Sequence, residues 1–358
     1  EEAGFLPLTD RDVNTLWGRM NKTVGRVYLT DIYNVIHSEF VPLFNPFQSY
    51  FDHLPSWDGV SDPIGDLADT VHVKSDQAEF RDYFRKWFVG ILPALLDDTV
   101  VNHEILVLIG EQGLYKTTWF NFLLPPELRC YFYTKTNSDR LNKDDLFSLT
   151  EFALICFEEL DGMRPAELNQ LKAMVTMPYV NERAAYGRNK ERHPHIASFC
   201  GTGNNVQFLT DPTGNRWLPF EVSQIRDPHL HAIPYELVYS QAYALWKSGF
   251  CHWFSQEEIR KLNMHNSRFE VPNLEEDLIR THFRKPFEGE AGIFVTAADI
   301  LEQISSCLRY PLSPNKIGRI MAGLEFESIR YKGKRGYIAV KKTGEDIDRE
   351  RRSGALGL

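Results

Sequence analysis

The chain has 358 residues, 43% of them hydrophobic and 13% aromatic, with a formal net charge of −9 at pH 7. That length holds two or three folding units with real cores, and the acidic balance argues against a polyanion coat over the whole surface while leaving room for a local basic face. The five cysteines are scattered and form no C-x-x-C pair, which predicts reduced thiols and a cytoplasmic protein rather than a disulfide framework or a zinc site.

No run of about 18 apolar residues predicts a membrane span, and the N-terminus lacks the shape of a signal peptide. Residues 1–98 are predicted to form a helical N-terminal region. Thr9-Asp10-Arg11-Asp12 has the form of a capping box ahead of Val13, Leu16 and Met20. Pro55-Ser56-Trp57-Asp58-Gly59 reads as a turn. Phe80, Tyr83, Phe84, Trp87, Phe88 and Ile91 recur at helical spacing between about Gln77 and Leu96 and are read as core.

Residues 99–224 alternate strand and helix. Strands are predicted over 105–109, 152–157, 196–201 and 217–222, with helices over 116–123 and 165–176. This alternation predicts a mainly parallel α/β sheet that binds its ligand at the strand C-termini.

The first strand carries the most informative motif. Ile105-Leu106-Val107-Leu108-Ile109 runs into Gly110-Glu111-Gln112-Gly113-Leu114-Tyr115-Lys116-Thr117-Thr118. A buried strand, a glycine-bearing loop and a helix start together hold phosphates on backbone N–H groups, with the lysine on the β/γ-phosphates and Thr117 on Mg²⁺. Gly110, Gly113, Lys116, Thr117 and Thr118 are therefore the candidate nucleotide-binding residues. The pattern departs from G-x-x-x-x-G-K-[ST] at Tyr115, which stands where the second glycine belongs. A tyrosine tolerates positive φ poorly, so the loop is expected to bend at Gly113. Taken alone, the motif also fits an ordinary strand–turn–helix.

Further along, Phe152-Ala153-Leu154-Ile155-Cys156-Phe157 ends in Glu158-Glu159-Leu160-Asp161. Adjacent carboxylates at a strand end suit a Mg²⁺ ligand, Glu158, and a general base, Glu159; the plain alternative is a solvated acidic turn. Ile196–Gly201 then leads to Thr202-Gly203-Asn204-Asn205, where an amide would bond both the γ-phosphate and the attacking water. Asn204 is the better candidate, because Asn205 also suits the start of the next turn. Asp211-Pro212-Thr213-Gly214-Asn215 presents Arg216 just before an apolar strand. A guanidinium there suits the transition-state charge of phosphoryl transfer, or a salt bridge at a strand edge.

Two basic patches follow from composition. Arg183, Arg188, Lys190 and Arg192 are interleaved with Tyr179 and Tyr186, as in single-strand channels. His193-Pro194-His195 lacks the further ligands a metal site needs. Residues 225–285 are predicted helical, with segments at 235–246 and 256–262. Residues 286–343 read as helix, helix and hairpin, a small winged-helix-like domain whose wing carries Lys332, Lys334 and Arg335 with no acid between Ser328 and Thr343. Residues 344–358 are expected to be a flexible tail.

The order of these motifs resembles the virulence-associated protein E family of mobile elements and prophages, which is similar to the poxvirus-type primase-helicases of helicase superfamily three. The resemblance runs from Asn45-Pro46-Phe47 and Trp57-Asp58-Gly59 to Arg216-Trp217-Leu218-Pro219-Phe220-Glu221-Val222. It is carried also by Leu171-Lys172-Ala173, by Glu182-Arg183-Ala184-Ala185-Tyr186-Gly187-Arg188 and by Gly201-Thr202-Gly203-Asn204. It implies an α/β P-loop NTPase core using ATP and Mg²⁺. Lys116, Thr117, Glu158 and Glu159 match its nucleotide motifs and Asn204 its sensor asparagine. Arg216 matches the arginine finger given to a neighbouring subunit, and the block from Lys172 to Arg192 the region of the DNA-contacting pore loop.

The expected protein is a DNA helicase or translocase for mobile-element or prophage replication. It would be a homo-oligomeric ring around single-stranded DNA, working with a separate primase or host replication proteins and with no membrane. The rival expectation is a nucleotide-dependent assembly switch or helicase loader that does not unwind.

Overall fold

The computed structural model describes residues 7–136, 143–182, 191–209, 216–271, 274–287, 289–305 and 314–355. The chain divides into two units, Glu1–Glu270 and Val271–Leu358.

The first unit is built on a six-stranded sheet. Its strands come from β1 (Val71–Val73), β2 (Ile105–Ile109), β3 (Phe132–Lys135) and β4 (Leu154–Phe157). A separate hairpin of β5 (Tyr179–Glu182) and β6 (Glu191–Pro194) intervenes before β7 (Ser198–Gly203) and β8 (Trp217–Ile225). The order across the sheet is β1-β8-β2-β7-β4-β3. All neighbours are parallel except β1, which pairs antiparallel with β8.

The unbroken apolar run of β2 is explained by its place at the centre. Leu106 and Leu108 enter one core with Trp87, Phe120 and Phe220. Ile105, Val107 and Ile109 enter the other with Phe157, Phe199 and Trp217. A strand buried on both faces has no polar side to present, so its sequence cannot alternate.

The aromatic stripe forms helix Gln77–Leu96, capped by Asp76, with Phe80, Phe84, Trp87, Phe88 and Ile91 fully buried. Trp87 Nε1 donates to the Phe199 carbonyl at 2.9 Å, fixing this helix to β7. The capping box at Thr9 starts helix Asp10–Thr23. Helices Tyr235–Lys247 and Gln256–Asn266 also pack in this unit, so the helical stretch before residue 99 and the part of 225–285 up to Glu270 belong with the sheet, while the rest of 225–285 falls in the second unit.

Two strands of the six-stranded sheet were not expected, and neither was the β5–β6 hairpin beside it. β1 lies in the stretch read as all helical, and its three residues are too short to show a period. β3 follows Pro125-Pro126, where only the end of a helix was predicted. The helix that links it onward, Lys143–Glu151, was also missed.

The second unit contains helix Leu274–His282, β9 (Phe283–Arg284), β10 (Ile293–Val295), helices Ala297–Ser305 and Pro314–Gly323, and the hairpin β11 (Ser328–Tyr331) and β12 (Lys334–Lys341). Lys332 and Gly333, with φ 48° and 78°, make the tight turn, the left-handed pair that matches strand twist. Its core holds Ile279, Ile300, Ile304, Ile317, Met321, Tyr337 and Ala339. The expected flexible tail instead contains helix Gly344–Ala355. Thr343 and Asp346 cap it reciprocally, with Asp346 Oδ2 accepting from the Thr343 N–H at 3.0 Å and from its hydroxyl at 2.7 Å.

Candidate functional site

The C-terminal edge of the parallel strands opens into a cleft of about 440 Å³. It is lined by Gln112 to Thr118, Glu158, Glu159, Thr202, Gly203 and Asn204. Three chain segments far apart in sequence meet there because β2, β7 and β4 are sheet neighbours.

The loop after β2 is shaped by close approach and by two left-handed residues. A Cβ on Gly110 would lie 2.9 Å from the Val222 carbonyl oxygen, so only glycine fits. Gly110 N donates to the Gly203 carbonyl at 3.1 Å, tying the loop to β7. Gly113 has φ 88°, as expected, but Tyr115 also takes φ 60°. The bend is therefore shared, and the tyrosine carries backbone strain of the kind that collects at functional sites. Tyr115 is exposed and immediately precedes helix Lys116–Leu123.

Lys116 is buried. Its ammonium donates to the Gly110 carbonyl at 2.6 Å, the Glu111 carbonyl at 2.8 Å and Asn204 Oδ1 at 3.3 Å. Burial draws its pKa down, and the Asp161 carboxylate opposes that shift. Thr117 Oγ1 donates to Glu158 Oε1 at 2.8 Å. Glu159 follows in the left-handed region at φ 54°. Thr118 lines the cleft in the first turn of the helix. The structure thus brings together Gly110, Gly113, Lys116, Thr117, Thr118, Glu158, Glu159 and Asn204.

Arg216 is not among them. Ile105 N donates to its carbonyl at 2.6 Å, and β8 pairs with β2 from Ile105↔Trp217 to Ile109↔Glu221. Arg216 therefore stands at the N-terminal edge of the sheet. The length of β2, about 16 Å at the usual rise per residue, separates it from the loop after Ile109. Its Nε is buried without a hydrogen-bond partner. Within one chain this arginine does not reach the cleft.

Of the first basic patch, Arg183, Arg188 and Lys190 lie outside the described residues. Arg192 lies on β6 with its guanidinium 3.6 Å from the Tyr179 ring centroid on β5. In the second unit Lys332, Lys334 and Arg335 are exposed around the turn of the β11–β12 hairpin. Arg335 Nε donates to Ser328 Oγ at 3.1 Å.

Asp161, two places after Glu159, has no role in the nucleotide motifs as the chain presents them. Its carboxylate accepts from Asn204 N at 3.2 Å, Asn205 N at 3.0 Å and Asn205 Nδ2 at 2.7 Å. The signal was present in Glu158-Glu159-Leu160-Asp161, but the partners 43 and 44 residues away were not legible.

The fold and cleft define an α/β protein with a mostly parallel sheet, whose central strands present a buried lysine, a threonine, two glutamates and an asparagine at their C-terminal edge. The chain belongs to the virulence-associated protein E-like domain family, whose match spans residues 52–271. No curated protein matches it. Among solved structures, the apo C-terminal region of NrS-1 (305–718) is similar at 11% identity and a TM-score of 0.45, over 82% of this chain and 78% of that one. The A form of the same apo region gives 11% identity and a TM-score of 0.44, over 82% and 78%. Among the described residues, no helix is long and apolar enough to cross a membrane.

Proposed function

We propose that this chain is an ATP-hydrolysing DNA helicase or translocase of the superfamily-three type, acting in mobile-element or prophage replication. The observation that carries the reading is the meeting of Lys116, Thr117, Glu158, Glu159 and Asn204 in one cleft at the sheet's C-terminal edge. Membership in the virulence-associated protein E-like domain family supports it.

The donor set fits both groups the reading requires. A loop running into a helix N-terminus beside a buried ammonium suits the phosphates of ATP, held by Gly110, Gly113, Lys116, Thr117 and Thr118. The Thr117 hydroxyl and the Glu158 carboxylate, already hydrogen-bonded to each other, are hard oxygen ligands of the kind Mg²⁺ takes. When bound, Mg²⁺ supplies charge stabilisation at the phosphate oxygens.

The three N–H donors of Lys116 are taken by two loop carbonyls and Asn204, so holding a phosphate means exchanging at least one of these bonds. Glu159 accepts the proton of the attacking water as general base. Asn204 accepts from Lys116 through Oδ1, and its amide N–H groups remain to orient that water. Arg216, at the far edge of the sheet, serves the cleft of a neighbouring subunit in a ring. Arg183, Arg188, Lys190 and Arg192 track a single DNA strand. The hairpin cations Lys332, Lys334 and Arg335 form the wing of a winged-helix-like module on DNA phosphates.

A second reading, an assembly switch or helicase loader, is favoured by one feature: Tyr115, with strained φ, at the loop position where glycine is usual. The deciding experiment measures ATPase rate with and without single-stranded DNA, alongside strand displacement on a forked duplex. Stimulation with displacement supports the motor. Nucleotide binding with neither leaves the switch.

A further inference from the structure

Asp161 lies in the short helical turn Leu160–Gly162 that directly follows Glu159. Its two carboxylate oxygens receive three hydrogen bonds, all from the first two residues beyond β7. Oδ1 accepts from Asn204 N at 3.2 Å, and Oδ2 accepts from Asn205 N at 3.0 Å and Asn205 Nδ2 at 2.7 Å. Asn204 then stands with Oδ1 3.3 Å from Lys116 Nζ.

The surrounding packing leaves this arrangement little slack. A Cβ on Gly203 would lie 3.1 Å from Asp161 Oδ1, and one on Gly201 would lie 2.2 Å from Leu160 Cδ1. Glycine at both positions lets the turn after β4 sit directly against the end of β7. A carboxylate suits this place because it is acceptor-only and its bonds to N–H groups are charge-assisted. An asparagine of the same shape would turn an NH₂ group toward one of the N–H donors and leave it unpaired.

We propose that Asp161 is a positioning residue. It clamps the Asn204–Asn205 segment to the turn that carries Glu158 and Glu159, and so sets Asn204 against Lys116. The carboxylates of β4, the asparagine after β7 and the lysine of the loop then keep one mutual geometry, and a shift of the β4 turn carries Asn204 with it. This inference rests on the reading of the cleft as a site of ATP hydrolysis. Asp161 itself touches neither the phosphates nor the attacking water.

The test is a double-mutant cycle on the full chain with Asp161→Asn, Asn204→Ala and both together. Two residues acting as one unit give non-additive losses. Asp161→Asn is expected to lower kcat by about tenfold or more while KM for ATP stays within about threefold. The double variant should be no slower than Asn204→Ala alone. Amide hydrogen exchange at Asn204 and Asn205 should quicken by at least about tenfold in Asp161→Asn, with the body of β7 still protected. Multiplying losses in the cycle, or unchanged exchange at the two amides, would overturn the proposal. A wild type that hydrolyses no ATP would remove the hydrolysis reading. The exchange data at Asn204 and Asn205 would then still decide whether Asp161 sets Asn204.

Discussion

The Thr117 hydroxyl donates to Glu158 Oε1 at 2.8 Å, joining the first turn of the helix after the loop to the end of β4 across 41 residues of sequence. Together with the Lys116–Asn204 and Asn204–Asp161 bonds it links the ends of three strands in one polar circuit. Substitutions in that circuit should separate binding from turnover.

Lys116→Ala removes the ammonium and should abolish ATP hydrolysis and weaken ATP binding strongly. Glu159→Gln keeps the size of the side chain, removes a base and leaves Thr117 and Glu158 in place. It should bind ATP within about threefold of wild type while hydrolysis falls by about 10²–10⁴, the range for a lost general base. Steady-state ATPase and equilibrium binding of a fluorescent nucleotide measure the two quantities. Equal rates in wild type and Glu159→Gln would remove Glu159 from the mechanism.

Arg216 stands at the opposite edge of the sheet from the cleft of its own chain, so its effect should pass between subunits. Arg216→Ala and Lys116→Ala proteins should each be inactive alone. Mixed under conditions where subunits exchange, they should recover part of the ATPase, because some interfaces pair an intact loop with an intact arginine. Exchange shown by fluorescence transfer without any recovery would make Arg216 a structural residue.

The exposed cations of the β11–β12 hairpin should govern affinity for DNA rather than coupling. Replacing Lys334 and Arg335 by alanine should weaken binding and lower the salt slope by about 0.7–0.9 for each lost phosphate contact. ATPase at saturating DNA should stay near wild type. Replacing Arg188 and Lys190 should uncouple ATPase from DNA even at saturation. Titrations at several salt concentrations with parallel ATPase assays read both effects, and two unaffected variants would mark both patches as solvated surface.

Glu104 lies immediately before β2, buried, with Oε1 lacking a hydrogen-bond partner and His103 Nε2 3.5 Å away. Burial pushes its pKa up to about 8. The folded state therefore holds this proton more tightly than the unfolded state does. The stabilisation is fully present below the unfolded carboxyl value near 4.5 and is lost as pH rises through about 8. Chemical denaturation of the wild type should show stability falling between those limits, by at most about 1.4 kcal/mol per pH unit from this group. Glu104→Gln should flatten that slope. An identical pH profile in the variant would show that another group is responsible.

The sequence determined a good deal by itself. Ile105–Ile109 and the helix from Lys116 were readable to the residue, because a continuous apolar run, a glycine-bearing loop and Lys-Thr-Thr each have one local physical meaning. The helix Gln77–Leu96 was equally legible from its aromatic period. The candidate residues of the cleft could be named because strand ends in such a sheet face one crevice. What only the tertiary structure decided was neighbourhood. Three-residue β1 and the strand β3 carry too little pattern to be seen alone, and they exist because an edge strand is completed by its partner. Arg216 reads in sequence like any residue beside a site, yet parallel pairing of β8 with β2 puts it at the wrong end for its own chain. Asp161 gains its role from Asn204 and Asn205, which reach it only when β7 lies against β4. Sequence carries the local conformational preferences and hydrophobic period of each segment. The pairing that brings distant segments within hydrogen-bond reach is fixed only when the whole sheet forms.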